Sequence, residues 1–93
     1  MATIEIVKRA ATRPTWAEVS LQNLRHNFSV VQRHVGPQNT ICAVVKADGY
    51  GHGATGCARA LEEEGARWLG VTSLDEAIPL RDADIQARIL LMT

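Results

Sequence analysis

The sequence predicts an α/β fold built on a parallel sheet, and two observations carry that prediction. After residue 40 the chain alternates β-branched apolar runs with helical faces, in the order strand, helix, strand, helix, strand. That order marks right-handed βαβ units. The runs are also nearly continuous in apolar residues, as in strands covered on both faces. A (β/α)₈ barrel takes about 250 residues, so these 93 would supply about a third of one. Three parallel strands alone would leave an unpaired edge on each side.

Taken in order, residues 1–12 show no clear period and read as a loose leader. Thr15 to Val19 alternates and predicts a short strand. Ser20 is a suitable N-cap for a helix carrying Leu21, Leu24, Phe28, Val31 and Val35 at helical spacing, stopped by Gly36-Pro37. His26 and His34 belong to this helix and read as surface or satisfied histidines. Thr40 to Ala47 is the first parallel strand. Asp48 to Gly53 is a glycine-rich loop. Ala54, Cys57, Ala58 and Leu61 mark the next helical face, which ends near Glu64 with Gly65 suited to the C′ position. Glu62 to Glu64 reads as a solvated helix end. Trp68 to Thr72 is a strand, and Ser73 to Glu76 is a capping box that opens a helix. Pro79 falls inside that helix and should bend it. Arg88 to Met92 begins a third buried strand.

Ten basic and ten acidic residues cancel, and no like-charge run is longer than Glu62 to Glu64. Neither nucleic acid nor an anionic membrane is expected as a partner. No stretch has the length of a membrane span, and Glu5 interrupts the apolar N-terminus, which makes a poor signal peptide. Cys42 and Cys57 match no common zinc or redox spacing, so no metal is expected. Both read as buried thiols in a reducing cytoplasm.

The informative segment runs from Ala43 to Gly53. Only two lysines occur, and Lys46 ends a very apolar strand, where open sheets and barrels place their active sites. An ammonium there is costly to bury without a partner. Desolvation would make it a better nucleophile toward a carbonyl, which suits a Schiff base. A lysine snorkelling to the sheet rim is, on residue type alone, the slightly better account. Gly49, Gly51 and Gly53 permit a sharp turn or a close approach to a ligand. Their spacing fits neither the dinucleotide fingerprint nor the P-loop, so a plain tight turn is the simpler reading. Tyr50, the only tyrosine, could serve a phosphate or could pack. His52 could act as a base or could hold the loop through a backbone hydrogen bond.

The stretch Val44-Val-Lys-Ala-Asp-Gly-Tyr-Gly-His-Gly53 resembles the pyridoxal-phosphate attachment motif of alanine racemases. Arg13 to Leu21, Asn23 to Phe28, Ala66 to Ala77 and Ala87 to Leu91 fit the same family in order and spacing. The resemblance implies the start of a TIM barrel, preceded by a strand that joins a C-terminal β domain. It divides the chain into a leader at 1–12 and a partial barrel domain at 13–93, with the barrel proper from about residue 40. It implies a cytoplasmic homodimer that binds pyridoxal 5′-phosphate and interconverts L- and D-alanine for peptidoglycan precursors. Lys46 would carry the cofactor and act as one of two bases. Tyr50 would bond the cofactor phosphate. Val44, and less directly Met92, would lie near the pyridine ring.

The family's second base, the arginine at the ring nitrogen and the main phosphate loop match nothing in this sequence. The 93 residues by themselves are therefore expected to be inactive. Where relatives often read Arg-Glu-Ala-Gly-Ile, this chain has Arg81-Asp-Ala-Asp-Ile85. A racemase for serine, lysine or a broader set of amino acids is the alternative activity, and a truncated product without catalysis is the non-enzymatic one. The glycine-rich loop argues against a small single-domain pyridoxal-phosphate binding protein.

Overall fold

The computed structural model describes residues 4–8 and 16–92. Strand β1 (Ile4–Lys8) pairs antiparallel with β2 (Trp16–Ser20), from Ile4 opposite Ser20 to Lys8 opposite Trp16. Over 4–8 this corrects the reading of a loose leader, and the rest of 1–12 lies outside the described residues. The Ile-Glu-Ile alternation at 4–6 is too short to register as a period, and pairing with β2 supplies what local sequence does not. The expected strand at 15–19 lies one residue later, with Thr15 and the proposed boundary at 13 outside the described residues.

Ser20 ends β2 and caps helix α1 (Leu21–Val35), its hydroxyl accepting the Asn23 N–H at 3.2 Å. Gly36, at φ 81°, closes the helix with its N–H on Gln32 O. Leu21 and Phe28 are buried, but Val31 is 47% exposed, so the apolar stripe is narrower than its spacing predicts.

Strands β3 (Cys42–Val44), β4 (Trp68–Val71) and β5 (Arg88–Leu91) form one parallel sheet with β4 in the centre. Helix α3 (Ala54–Glu63) follows β3, and α4 (Leu74–Asp82) follows β4. This is the predicted succession of β/α units. Alternation along the strands sends Val45, Leu69 and Val71 into a core shared with Phe28, Ala58, Leu61, Leu80 and Ile85. A second cluster of Val19, Leu21, Cys57 and Ala60 fastens the β2–α1 corner to α3. The opposite face is open: Cys42 is exposed, Leu90 is 45% exposed, and the Arg88 guanidinium lies 5.5 Å over the Trp68 ring. The strands are thus covered on one face rather than both. A closed barrel places that open face inside. Cys42 stands there, so only Cys57 is buried as expected, and the two are not bonded to one another.

Two helix ends carry more than their sequences suggest. Gly65 and Ala66 donate to Glu62 O and Leu61 O, the paired bonds of a Schellman motif. Asp84, at φ 63°, takes the left-handed position, and the same two bonds form from Asp84 and Ile85 to Arg81 O and Leu80 O. Aspartate tolerates this region better than most side chains, so the helix ends cleanly without a glycine. The acidic run is not merely solvated either. Glu62 Oε2 accepts the Gln86 and Ala87 N–H groups at 2.7 and 2.6 Å, and Glu63 pairs with Arg25 at 2.8 Å. Helix α4 continues across the exposed Pro79 to Asp82.

Candidate active site

The expected strand through Ala47 stops early. β3 ends at Val44, and Lys46 to Tyr50 forms a single turn, α2, of the opposite hand. Ala47, Asp48, Gly49 and Tyr50 all have positive φ, at 52°, 54°, 64° and 57°. Only glycine adopts this region freely, and each L-residue costs about 1–2 kcal/mol there. A left-handed run of this kind is held by its surroundings, and such strain gathers at functional sites.

The bonds that hold it are specific. Gly49 N–H donates to Val45 O at 2.8 Å, and Gly53 N–H to Asp48 O at 2.9 Å. Asp48 Oδ1 accepts the Ala54 N–H at 2.9 Å, giving α3 the side-chain cap that Gly53 cannot supply. His52 Nδ1 lies 3.1 Å from Gly49 O and 3.2 Å from Tyr50 O. Two carbonyl acceptors place the hydrogen on Nδ1, so His52 braces the turn, the structural one of its two readings. Gly49 is buried, and a Cβ there would stand 3.3 Å from Ala54 N.

The turn brackets the two predicted polar residues. Lys46 opens it, half-buried, on the sheet face continued from Cys42 and Val44. Tyr50 closes it, 58% exposed. Neither the Lys46 ammonium nor the Tyr50 hydroxyl has a partner among the described residues. Tyr50 and Val44 share a groove of about 640 Å³ with Glu18, Val19, Asn23 and His52, between the β2–α1 corner and the turn. Lys46 is not in its wall. Met92 lies on the Val44 face of the sheet, where a Cβ on Gly70 would meet Met92 Cε at 3.0 Å and Cys42 Sγ at 3.3 Å. A larger cavity, about 760 Å³, opens at the other ends of the strands beside Phe28, Gly36, Thr40 and Ala66 and holds none of the candidate residues. Among the described residues no group of His, Cys, Asp or Glu is placed to hold a metal ion, and no helix is long and apolar enough to cross a membrane.

Sequence reading missed Glu76. Ser73 Oγ accepts the Glu76 N–H at 3.3 Å, as the capping box predicts. The Glu76 carboxylate, however, accepts Thr72 N–H at 2.6 Å, Thr72 Oγ1–H at 2.7 Å and Ala47 N–H at 2.6 Å. The only signal was an acid three residues beyond a serine cap, which also fits an ordinary capping box. Its pKa is lowered, first by the Thr72 hydroxyl, then by the Thr72 and Ala47 amides. A lowered carboxylate pKa adds stability above the unfolded value, and that stability is lost as pH falls through the folded one. Glu76→Gln should therefore flatten the acid side of the stability profile of the intact gene product. Urea midpoints measured from neutral pH down through the carboxylate range check this, and parallel profiles would refute it.

Fold and turn together define a β/α-barrel segment that presents an amine at the carboxyl end of a strand. The chain belongs to the alanine racemase family: the model of the alanine racemase N-terminal domain matches residues 19–93. It is 50% identical over 80 residues to the alanine racemase of Carboxydothermus hydrogenoformans, covering 86% of this chain and 22% of that protein. It is 51% identical over 82 residues to the alanine racemase of Sorangium cellulosum, covering 86% and 22%. The crystal structure of alanine racemase from E. faecalis superposes with a TM-score of 0.75 at 40% identity, over 78% of this chain and 20% of that one. The chain thus spans about a fifth of the length of the curated relatives it matches.

Proposed function

We propose that the chain is the cofactor-lysine segment of a pyridoxal-phosphate-dependent racemase that interconverts L- and D-alanine. The observation that carries this reading is the left-handed turn, with an amine at its start and a phenol at its end, in a chain of this family. The donor set fits the cofactor: an amine suits an aldehyde, and a hydroxyl suits a phosphate. When bound, pyridoxal phosphate withdraws electrons from the amino acid and acidifies its Cα proton. Lys46 holds the cofactor through Nζ and carries the proton on one face of Cα. Tyr50 donates its hydroxyl to the phosphate. Val44 gives the ring an apolar neighbour. Asp48 and His52 hold the turn that keeps Lys46 and Tyr50 in register. The proton on the other face is handled by a group outside this segment.

In the same reading β1 and β2 extend a separate β domain, the protein is a cytoplasmic homodimer, and its D-alanine feeds peptidoglycan precursors. Borohydride reduction of the intact gene product with pyridoxal phosphate, followed by peptide mass analysis, tests the assignment. The pyridoxyl group is expected on Lys46, and a label on any other residue would overturn it. Tyr50→Phe is expected to weaken cofactor binding by about tenfold or more, the scale of one hydrogen bond to a charged group. Equilibrium dialysis reads this, and unchanged affinity would remove Tyr50 from the site.

A further inference from the structure

We propose that Glu76 is a positioning residue for Lys46, acting through the amide of the residue that follows it. The proposal rests on the reading of Lys46 as the cofactor lysine. The Ala47 N–H belongs to the peptide group whose other end is the Lys46 Cα. Fixing that amide therefore fixes ψ of Lys46, and with it the direction in which the chain leaves β3. Glu76 Oε2 accepts this N–H at 2.6 Å, while Oε1 accepts the Thr72 N–H and hydroxyl at 2.6 and 2.7 Å. One carboxylate thus ties together the carboxyl ends of β3 and the central strand β4.

The tie has a physical need to meet. Ala47, at φ 52°, is the first of four successive residues in the left-handed region, and an alanine has no side chain with which to hold itself there. Glu76 comes from outside the turn, from the first turn of α4, whose start Ser73 fixes. A negative group at that place also complements the helix N-terminus. The chemistry demands a carboxylate. Both oxygens face amide N–H donors, and a glutamine has only one acceptor oxygen. Whichever way its amide turns, an NH₂ group meets either Ala47 N–H or Thr72 N–H.

The test is Glu76→Gln in the intact gene product, with Asp75→Asn on the same helical turn as control. Two quantities are read: amide hydrogen exchange at Ala47 and at Leu80, and the split of kcat against KM for alanine. In Glu76→Gln the Ala47 amide should exchange about tenfold faster while Leu80 changes much less, and kcat should fall about tenfold with KM nearly constant, the scale of one lost bond to a charged group. Asp75→Asn should change neither. Unchanged kcat, unchanged exchange at Ala47, or equal acceleration at Leu80 would each overturn the proposal, the last because it marks general loosening. If the wild type takes no pyridoxyl label at Lys46, the functional reading fails separately, and that failure is seen before any variant is made.

Discussion

Lys46→Ala in the intact gene product should lower alanine racemisation by about 10³-fold or more and abolish the borohydride-fixed pyridoxyl label. Two roles are removed at once. Proton transfer by a positioned side chain is worth about 10²–10⁴-fold, and covalent capture of the cofactor adds to it. The fold should survive, because Lys46 is half-buried and makes no ion pair among the described residues. A far-ultraviolet circular dichroism spectrum equal to wild type, beside a lost rate, would show that chemistry and not folding failed. A small amine such as methylamine supplies the missing group, so it should restore part of the rate. A lysine that only snorkelled to the sheet rim predicts the opposite: retained activity and no rescue. Full activity in Lys46→Ala would end the cofactor assignment.

The sequence displayed the fold better than it displayed the site. Periodicity located α1, α3, β4 and β5 within a residue or two, because each buries one face against its neighbours and burial leaves a pattern. β1 escaped because its pairing is with β2, some ten residues away, and nothing local announces it. The motif marked Lys46 and Tyr50, yet Thr40 to Ala47 reads as one uninterrupted strand. β-propensity cannot foresee that an alanine and an aspartate will be turned to positive φ. One of the groups that hold the turn lies 29 residues on: the Glu76 carboxylate, which accepts the Ala47 N–H. A helix cap and a strand clamp look alike in one dimension. Asp48 escaped, and His52 was left between two readings, for a related reason: short polar side chains in a glycine-rich turn have several possible backbone partners, and only the turn's handedness selects among them.

The largest expected stability loss is at Leu69. β4 is the central strand, and it places Leu69 and Val71, both 0% exposed, between the helix layer and the neighbouring strands. Leu69→Ala removes packing on all sides, and rigid strand neighbours on both flanks limit how far the gap can collapse. The cost should be about 2–5 kcal/mol, the range for buried leucine truncation. Val31→Ala on α1, where the side chain is 47% exposed, should change stability by about 0.5 kcal/mol or less. Urea unfolding of the two variants in the intact gene product separates these values. Losses of equal size would mean that the core does not centre on β4. The consequence reaches the site, because the residue after Val71 is Thr72, which shares the Glu76 carboxylate with Ala47. Slackening β4 should therefore loosen the Lys46 turn before the domain unfolds. Leu69→Ala should show faster amide exchange at Ala47 in urea too dilute to unfold it. Exchange at Ala47 that rises only with global unfolding would show that the turn is held without β4.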